Sequence, residues 1–410
     1  MSKSKAFVPS VVILTLLVCM GLAAWVYQLV NGLAVTGMNN ATSWGIYIAC
    51  FMLLVGLSAG GLIVASSASV FGIKKYKAIA KPAVLLSTVC IVLAVAFVLV
   101  DMGGVQRAYL LFISPNFMSP LMWDIVIISI YLIINIVYLV LMSRKELNEK
   151  LIKRVSCVAL PVAILVHSVT AWIFGLEITR EGWHTSLMAP LFVASALDSG
   201  LALLVIALAA LNKLNVFKIE KKLLVSLAGL LATCVAIDLF FVGCEVLTLA
   251  YPGTDAGNAL LAEMFTGSTA LFFWGEIILG FAIPLGILLS SKGREKTGLV
   301  LFASACVIVG VFFKRIWLLL TSFVHFGIAG APGITSGSLT SPDAPSSMWE
   351  LAGAYAPTAI EIAIVVGVFA AGGLAYTLLA TKLLKQDQAT VSGDEDDAQE
   401  VAVPAAEPAS

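Results

Sequence analysis

Charged residues are scarce in this chain. Asp, Glu, Lys and Arg make up 12% of its 410 residues, whereas the hydrophobic types make up 60%. Soluble domains contain about 25% charged residues, so the composition excludes an ordinary soluble protein. The chain is therefore predicted to be an all-α polytopic membrane protein.

Cysteine and histidine are also few. The seven cysteines occur singly, with no Cys-x-x-Cys pair and no Cys/His cluster, so we expect no iron-sulfur cluster, zinc or other metal in this chain. Of the three histidines only His167 lies deep in an apolar stretch, whereas His184 and His325 lie at or beyond the ends of such stretches. Haem-carrying membrane bundles use several deep axial histidines, so haem is not expected either.

Long apolar stretches are abundant, and each is long enough to cross the roughly 30 Å of hydrocarbon in a bilayer. The first follows MSKSKAF and lacks a small-residue cleavage site, so it is interpreted as a retained helix and not as a signal peptide. The sequence predicts about ten transmembrane helices, at 10–30, 44–71, 82–102, 120–142, 155–178, 187–211, 222–250, 260–289, 297–323 and 355–384.

Lysine and arginine are nearly absent from every second connection. Of the 24 basic residues, 20 lie in the two terminal segments and in the alternate connections, and the opposite connections hold only Arg107 and Arg180. By the positive-inside rule, both termini are predicted to be cytoplasmic, and the basic surface is expected to face anionic lipid. We predict a multi-pass protein of the bacterial cytoplasmic (inner) membrane, and nothing in this distribution indicates nucleic acid.

The C-terminal segment differs in composition from the rest. Residues 386–410 read QDQATVSGDEDDAQEVAVPAAEPAS, which is polar, acidic and rich in Ala and Pro. Such a segment cannot bury enough apolar surface to fold. We therefore predict a transmembrane domain over 1–385 and a disordered acidic cytoplasmic tail over 386–410.

The ionisable residues within the apolar stretches lie in the outer halves of the predicted helices. At 1.5 Å per residue, His167 and Asp198 both lie about 16 Å from the outer ends of consecutive helices. An Asp, Lys or Arg at a helix centre costs about 2.5–3.5 kcal/mol. Two interpretations stay open, namely pairing between helices and a proton or ligand path. The other members of this group are Asp238, Glu245, Glu276, Lys314 and Arg315.

A histidine and carboxylates inside the hydrocarbon, near one face, are what a quinone requires. Its prenyl tail enters from lipid, and its ring oxygens need hydrogen-bond partners and, on reduction, protons. His167 is predicted to bond one oxygen and exchange a proton, with Asp198 as the relay carboxylate. The simpler interpretation of His167 is a neutral core imidazole bonded to a neighbouring hydroxyl or carbonyl.

A run of small residues, GLSAGG at 56–61, lies in the second predicted helix. Small residues at such spacing allow two membrane helices to approach closely. No strand precedes the run, so close helix packing is favoured over a phosphate-binding loop.

Three segments resemble the polysulfide reductase family of NrfD- or PsrC-type membrane subunits. They are TSWGIYIACFMLLVGLSAGG (42–61), DMGGVQRAYLLFISPNFMSPLMWDI (101–125) and HSVTAWIFGLEITREGWHTSLMAPLFVASALDSGLAL (167–203). The ten-helix count is similar to the branch found in alternative complex III, in the membrane subunit of hydrogenase-2 and in the menaquinone reductase of sulfate reducers.

The resemblance implies two four-helix bundles, formed by helices 2–5 and 6–9, with helices 1 and 10 flanking them. It also implies a site for menaquinone or another quinone toward the outer face, with no haem and no iron-sulfur cluster in this chain. His167, Trp183 and His184 are the positions carried over as quinone-binding, and Asp198 is added from its depth. Some relatives carry an acidic residue in the segment where this chain reads AWIF, with Trp172 and no acid. The proton route of this chain is therefore expected to differ from theirs.

The expected role is that of a quinone-reactive subunit, inactive alone, in a periplasm-facing redox complex. An iron-sulfur subunit is the implied partner, and molybdopterin-like and cytochrome c subunits are further ones. Quinone reduction is slightly favoured, with proton uptake from the cytoplasm past Ser87, Thr88, Asn135, Tyr138 or Ser304. The alternatives are a quinol-oxidising anchor of a molybdopterin reductase and a proton-coupled secondary transporter, although neither an inverted repeat nor paired helix breaks are evident.

Overall fold

The computed structural model describes residues 7–144, 148–324, 334–335 and 351–384. Over these residues the fold is all-α, as predicted, with ten helices long and apolar enough to cross a membrane. They are α1 (Phe7–Asn31), α2 (Ile46–Val70), α3 (Ala80–Asp101), α4 (Pro120–Met142), α5 (Glu149–Gly175), α6 (Met188–Lys213), α7 (Lys221–Ala250), α8 (Ala270–Leu288), α9 (Thr297–Val324) and α10 (Ala359–Leu383).

Short elements join these helices. Two short strands, β1 (Ile334–Thr335) and β2 (Leu351–Ala352), pair in parallel. The short helices are Leu33–Val35, Lys74–Lys77, Val105–Arg107, Leu110–Ile113, Asp255–Thr266 and Ser291–Arg294. His325, Lys385, the tail 386–410 and most of the connection 324–356 lie outside the described residues.

The structure corrects the start of the predicted eighth helix, 260–289. A separate helix, Asp255–Thr266, precedes α8, and the helical conformation is interrupted between them at Gly267. The Glu263 carboxylate accepts hydrogen bonds from the Ser268 hydroxyl at 2.5 Å and the Thr269 amide at 3.0 Å. A Cβ atom on Gly267 would collide with this carboxylate, so glycine permits the break.

The ten helices form two bundles and a flanking pair. Helices α2–α5 pack together, as do α6–α9, and the bundles join where α2 contacts α6. The pair α1 and α10 packs on α3. This is the arrangement that the family resemblance implied. Since α2 has neighbours on every side, it is buried along nearly its whole length.

The contact between α2 and α6 depends on glycine. A Cβ atom on Gly60 would lie 2.6 Å from the Cα atom of Gly200 and would also collide with the Ala196 carbonyl oxygen. Gly61 similarly faces the Ala83 carbonyl of α3, at 3.1 Å from the position of a Cβ atom. The GLSAGG run is therefore a helix-packing element, as the sequence indicated.

Helix α8 contains a π-helical segment, Glu276–Ala282. Such segments are rare and often occur at functional sites, because the extra residue per turn redirects side chains. Gly280 in this segment packs against Gly310 of α9, with 3.4 Å between the position of a Cβ atom on Gly280 and the Gly310 Cα atom. The segment thus brings Glu276, its first residue, against α9.

Candidate functional site

Lys314 of α9 joins two acids in the middle of the second bundle. Its Nζ atom lies 2.6 Å from Asp238 Oδ1 on α7 and 3.5 Å from Glu276 Oε1 on α8. The indole Nε1 of Trp317, one turn further along α9, donates to Glu276 Oε2 at 2.6 Å. All three charged side chains are fully buried. Asp238, Lys314 and Glu276 therefore form a compact ion-pair cluster, here called the lysine clamp.

Arg315 follows Lys314 in sequence but points toward different partners. Its Nη2 atom donates to the Ser195 hydroxyl at 2.6 Å, and its guanidinium carbon lies 4.1 Å from the centroid of the Phe192 ring. Neither Nε nor Nη1 has a hydrogen-bond partner among the described residues. Successive residues on a helix are rotated by about 100° about its axis, so the side chains of Lys314 and Arg315 point to different neighbouring helices.

Asp198 of α6 is fully buried without a direct partner. Neither carboxylate oxygen has a hydrogen-bond partner of ordinary geometry among the described residues, although the backbone amide of the neighbouring Ser199 lies close, and no described cation lies within ion-pair distance. It is close enough to Asp238, Lys314 and Arg315 to interact with them electrostatically. A buried polar group without a partner is destabilising, so Asp198 is a position where a ligand or a proton would be favourable.

His167 of α5 is also buried without hydrogen bonds. Neither ring nitrogen has a partner in the described part of the chain. Its Nε2 atom lies 3.2 Å from the position that a Cβ atom on Gly56 would take, so this glycine leaves room for the ring. The ring meets Phe192 edge-on at 6.1 Å between centroids, and Arg315 interacts with it electrostatically. Four helices, α2, α5, α6 and α9, thus converge on His167.

The depths of His167 and Asp198 differ slightly from the prediction. They are measured from the helix ends opposite the basic connections, which are here called the outer ends. Because α5 ends at Gly175, His167 lies about 12 Å below the end of that helix. Because α6 begins at Met188, Asp198 lies about 15 Å below its outer end. The two groups remain in the outer half of neighbouring helices, and Arg315 interacts electrostatically with both.

An aromatic cluster lies between His167 and the outer end of the bundle. Trp183 stacks on Trp44 at 6.2 Å and meets Phe174 and Phe323 edge-on at 5.2 and 5.1 Å between centroids. Its Nε1 atom donates to the Leu318 carbonyl at 2.8 Å. Trp183 is therefore buried in this cluster and bonded to α9, on the outer side of His167. Its assignment to quinone binding, which the resemblance implied, stays a prediction.

Arg180 covers this aromatic cluster from the outer connection. Its guanidinium carbon lies 4.9 Å from the Phe323 ring centroid and 5.8 Å from that of Trp183, and its Nη1 atom donates to the Ser322 carbonyl at 2.6 Å. Burial lowers the pKa of Arg180, and the Glu177 carboxylate opposes this effect. The site therefore has a cationic cover on its outer side.

His184 and Glu245 lie nearer the outer surface. The His184 ring is exposed, and its Nδ1 atom donates to the Gly175 carbonyl at 3.1 Å. Glu245, on the same buried face of α7 as Asp238, lies beside Thr185, and its Oε2 atom has no partner within the described ranges. Arg315 interacts electrostatically with both His167 and Asp198 and so links these two buried groups, whereas His184 lies apart from them.

The sequence interpretation missed the site roles of four residues, one of which, Gly56, it had recognised only as part of the small-residue run. Ser195 is one turn before Asp198, and Trp317 is one turn after Lys314, so helical spacing could have identified both. Gly56 and Phe192 carry no such signal, because their roles depend on which helices pack together. The missed residues are Gly56, Phe192, Ser195 and Trp317.

A second polar group fills the middle of the first bundle. Ser87 Oγ donates to Asn135 Oδ1 at 2.7 Å and is hydrogen bonded to the Tyr131 hydroxyl at 2.8 Å. Ser58 Oγ lies 3.0 Å from the same Tyr131 hydroxyl. Ser58 is two residues after Gly56, so this group, here called the serine–tyrosine network, lies just below the level of His167. Thr88, in contrast, only bonds its own helix, at the Val84 carbonyl.

Nearer the basic face, Tyr138 forms a separate group. Its hydroxyl is 2.7 Å from Ser156 Oγ and 3.5 Å from Ser69 Oγ. Ser66 and Ser304, on α2 and α9, have buried hydroxyls without partners in the described structure. Of the five residues proposed for a proton route, Ser87 and Asn135 are in direct contact, and Tyr138 is in the group below them.

Glu361 shows how a buried acid is satisfied when its role is structural. Its carboxylate accepts hydrogen bonds from the amides of Gly37 and Thr358 and from the Tyr355 hydroxyl, each at 2.8 Å. Burial, followed by the nearby Glu361 charge, raises the pKa of Tyr355. Glu361 caps α10 and ties it to the connection after α1, whereas Asp198 has no such bonds.

Metal-binding groupings are absent from the described part of the chain, where no three His, Cys, Asp or Glu side chains meet suitably. The cysteines at the described positions are free thiols. The polar groups that this site presents are therefore imidazole, carboxylate, guanidinium and ammonium.

Comparison with known proteins gives a family match over most of the fold. Residues 34–327 match the family described as Polysulphide reductase, NrfD. A protein of Halobacterium salinarum named as a membrane component of a dimethyl sulfoxide reductase is 36% identical over 383 residues, which is 88% of each chain. The Hdr-like menaquinol oxidoreductase integral membrane subunit of Archaeoglobus fulgidus is 30% identical over 76% of this chain and 78% of its own length. The menaquinone reductase integral membrane subunit of Nitratidesulfovibrio vulgaris is 26% identical over 72% and 76%.

Proposed function

Because the chain belongs to the polysulphide reductase NrfD family, we propose that it is the quinone-reactive membrane subunit of a multi-subunit oxidoreductase. The observation that carries this proposal is the pair His167 and Asp198, whose polar atoms are buried without partners among the described residues. Two relatives are named for menaquinol and menaquinone reactions, which supports menaquinone as the carrier.

The residues around His167 fit a quinone ring. A quinone supplies two-electron, two-proton chemistry when it is bound. The unpartnered ring nitrogens of His167 provide a donor for one quinone oxygen, and the neighbouring rings of Phe192 and Phe174 give the site the aromatic surroundings typical of such a ligand. Gly56 lets α2 pack directly against the imidazole, since a Cβ atom there would lie 3.2 Å from Nε2.

The charged groups beside His167 supply proton exchange. Asp198 would take or give a proton as relay carboxylate, since no hydrogen bond from the described residues holds it in one state. Arg315, bonded to Ser195 one turn before Asp198, places a positive charge close to the carboxylate. Asp238 and Glu245, on one face of α7, continue toward the outer rim and would carry protons there.

The partner is proposed to dock on the outer face, opposite the basic face. The aromatic cluster and Arg180 lie on this side of His167, so a redox centre placed there would be nearest the site. The connection between α3 and α4 also exposes large apolar side chains, including Phe112, Phe117 and Met118, at 68%, 67% and 84% of their surfaces. Such a surface suits a protein partner, which we propose is a periplasm-facing iron-sulfur subunit. In this orientation the basic face and both termini are cytoplasmic.

For the direction of electron flow, we infer quinol oxidation. The two relatives at or above 30% identity are named for a dimethyl sulfoxide reductase and a menaquinol oxidoreductase. In this direction the electrons leave to an external reductase, and the protons leave by the short path through Asp238 and Glu245. The chain has no activity without its partners.

The serine–tyrosine network favours the second candidate, quinone reduction with proton uptake from the basic face. It lies between the level of His167 and the group of Tyr138, Ser156 and Ser69. Hydroxyl and amide groups in such a series can pass protons across apolar packing. This is the direction that the sequence interpretation slightly favoured, and the menaquinone reductase relative supports it.

Substitution at the two orphaned groups tests the proposal. In the purified complex, His167→Gln and Asp198→Asn are expected to lower oxidation of a menaquinol analogue by about a hundredfold or more, the effect of removing an acid–base group. Assembly with the partner subunits should be unchanged. Glu361→Gln is the matched control, because it alters a fully buried acid that is already hydrogen bonded. Wild-type turnover in both site variants would contradict the assignment.

A further inference from the structure

A cavity of about 380 Å³ lies between the two bundles and α10, away from His167. Its walls come from α2, α3, α6, α9 and α10, and the lining residues along α6 run from Leu203 to Leu214. That run is about 17 Å long. Together with Leu53 and Leu57 of α2, this run makes the cavity an elongated groove that extends from the depth of Gly56 to the basic face.

The lining of the groove is apolar apart from a few hydroxyl groups, of which the Tyr376 hydroxyl has no hydrogen-bond partner among the described residues. Nearly all of its lining is aliphatic or aromatic, as at Leu57, Leu93 and Phe369. Thr377 and Thr381 also line it, but their hydroxyls bond their own helix at the carbonyls of Gly373 and Leu378. The Tyr376 hydroxyl, in contrast, is buried without a hydrogen-bond partner among the described residues.

The basic end of the groove carries positive charge. Lys213 directly precedes the lining residue Leu214, and Lys382 directly follows the lining residue Thr381. Both lysines are exposed. Each lysine near a membrane surface favours an anionic headgroup by about fivefold in binding.

We propose that this groove binds one anionic phospholipid from the leaflet at the basic face. One acyl chain lies along the groove, the Tyr376 hydroxyl donates to an ester carbonyl, and the phosphate lies between Lys213 and Lys382. A transmembrane helix of a partner, about 10 Å across, is too wide for this cavity. A quinone ring would leave one of its two oxygens without a donor.

The test is lipid titration of the purified, delipidated full chain with its partners, followed by native mass spectrometry. The probes are phosphatidylglycerol and phosphatidylcholine with identical acyl chains. Wild-type protein is expected to retain one phosphatidylglycerol, bound at least about fivefold more tightly than phosphatidylcholine. Equal affinity for the two lipids would overturn the assignment of an anionic headgroup.

Variants locate the lipid. Ala207→Leu together with Ala210→Phe fills the groove from α6 and is expected to weaken binding by about fourfold for each methylene that it displaces. Lys213→Gln with Lys382→Gln, at exposed positions, should remove the preference for phosphatidylglycerol without affecting folding. Tyr376→Phe should weaken the binding of phosphatidylglycerol and of phosphatidylcholine by the same factor.

The matched control is Ala371→Leu, which fills a different cavity of about 190 Å³ between α1, α3 and α10. It should leave the phosphatidylglycerol stoichiometry unchanged. The proposal is overturned if wild-type protein retains no phospholipid, if the groove-filling variant retains it at wild-type affinity, or if the retained molecule is a quinone. Quinol turnover is measured separately, so the outcome does not depend on the proposed function.

Discussion

At the scale of single residues, consecutive cations on α9 have different roles. Lys314 neutralises Asp238 and Glu276 at close range, whereas Arg315 donates to Ser195, its one hydrogen-bond partner in the described ranges, and stacks on Phe192. The pairing interpretation drawn from sequence is therefore confirmed for Lys314. Asp198, another acid of the same group, has no ion-pair partner among the described residues. Pairing between helices and a polar site with free groups thus coexist.

Lys314→Met is expected to destabilise the protein strongly. It leaves Asp238 and Glu276 buried without a cation, and breaking a buried pair costs about 3–5 kcal/mol. The measurement is the free energy of unfolding of the purified chain in mild detergent. Adding Asp238→Asn and Glu276→Gln should restore most of the loss, and Lys218→Met, at an exposed position, should have no effect. A stable single variant would show that these acids are already protonated.

At the scale of helices, glycine decides where the bundles meet. Gly60 and Gly200 let α2 and α6 touch through their backbones, and Gly56 admits the His167 ring on the next turn of the same helix. The sequence interpretation recognised the small-residue run but could not identify the helix that it faces. It also merged α8 with the preceding helix, because the apolar pattern continues across Gly267.

Gly60→Ala is expected to lower the free energy of unfolding by about 1–3 kcal/mol, the usual effect of overpacking. The added methyl group would meet the Gly200 Cα atom at 2.6 Å, so α2 and α6 must separate. Thermal unfolding in detergent measures the change. Gly286→Ala in α8 is the control, since nothing lies within 4 Å of its Cβ position; a glycine-to-alanine change in an open helix position should stabilise by about 0.5–1 kcal/mol. Equal midpoints for the two variants would contradict this account of the bundle interface.

At the scale of the whole molecule, the two bundles hold different polar systems. The second bundle contains the lysine clamp in its outer half. The first bundle has one buried acid near its outer end, Asp124, bonded to Thr170, and below it neutral hydroxyl and amide groups that extend toward the basic face. His167 lies where the bundles meet. This arrangement places the proposed site between a charged path to one face and a neutral path to the other.

Ser87→Ala is expected to slow proton uptake from the basic face when the reconstituted complex reduces a quinone. The change removes the bonds from Ser87 to Asn135 and Tyr131 and so interrupts the serine–tyrosine network. The measurement is the pH change on the basic side of oriented proteoliposomes, with a several-fold lower rate expected. Ser129→Ala is the matched control, because that hydroxyl is exposed and bonds only its own helix. An unchanged rate in Ser87→Ala would remove the network from the proton route.

The sequence by itself determined the number of membrane helices and the half of the membrane in which His167 and Asp198 lie. Both follow from local constraints, because a bilayer requires about 20 apolar residues per span and each residue adds a constant rise along a helix. The tertiary structure alone decided that Lys314 pairs with Asp238 and Glu276, that Gly56 admits His167, and that Asp198 stays without a partner among the described residues. These outcomes depend on which helix faces lie against each other, and apolar patterns in membrane helices carry little information about that choice.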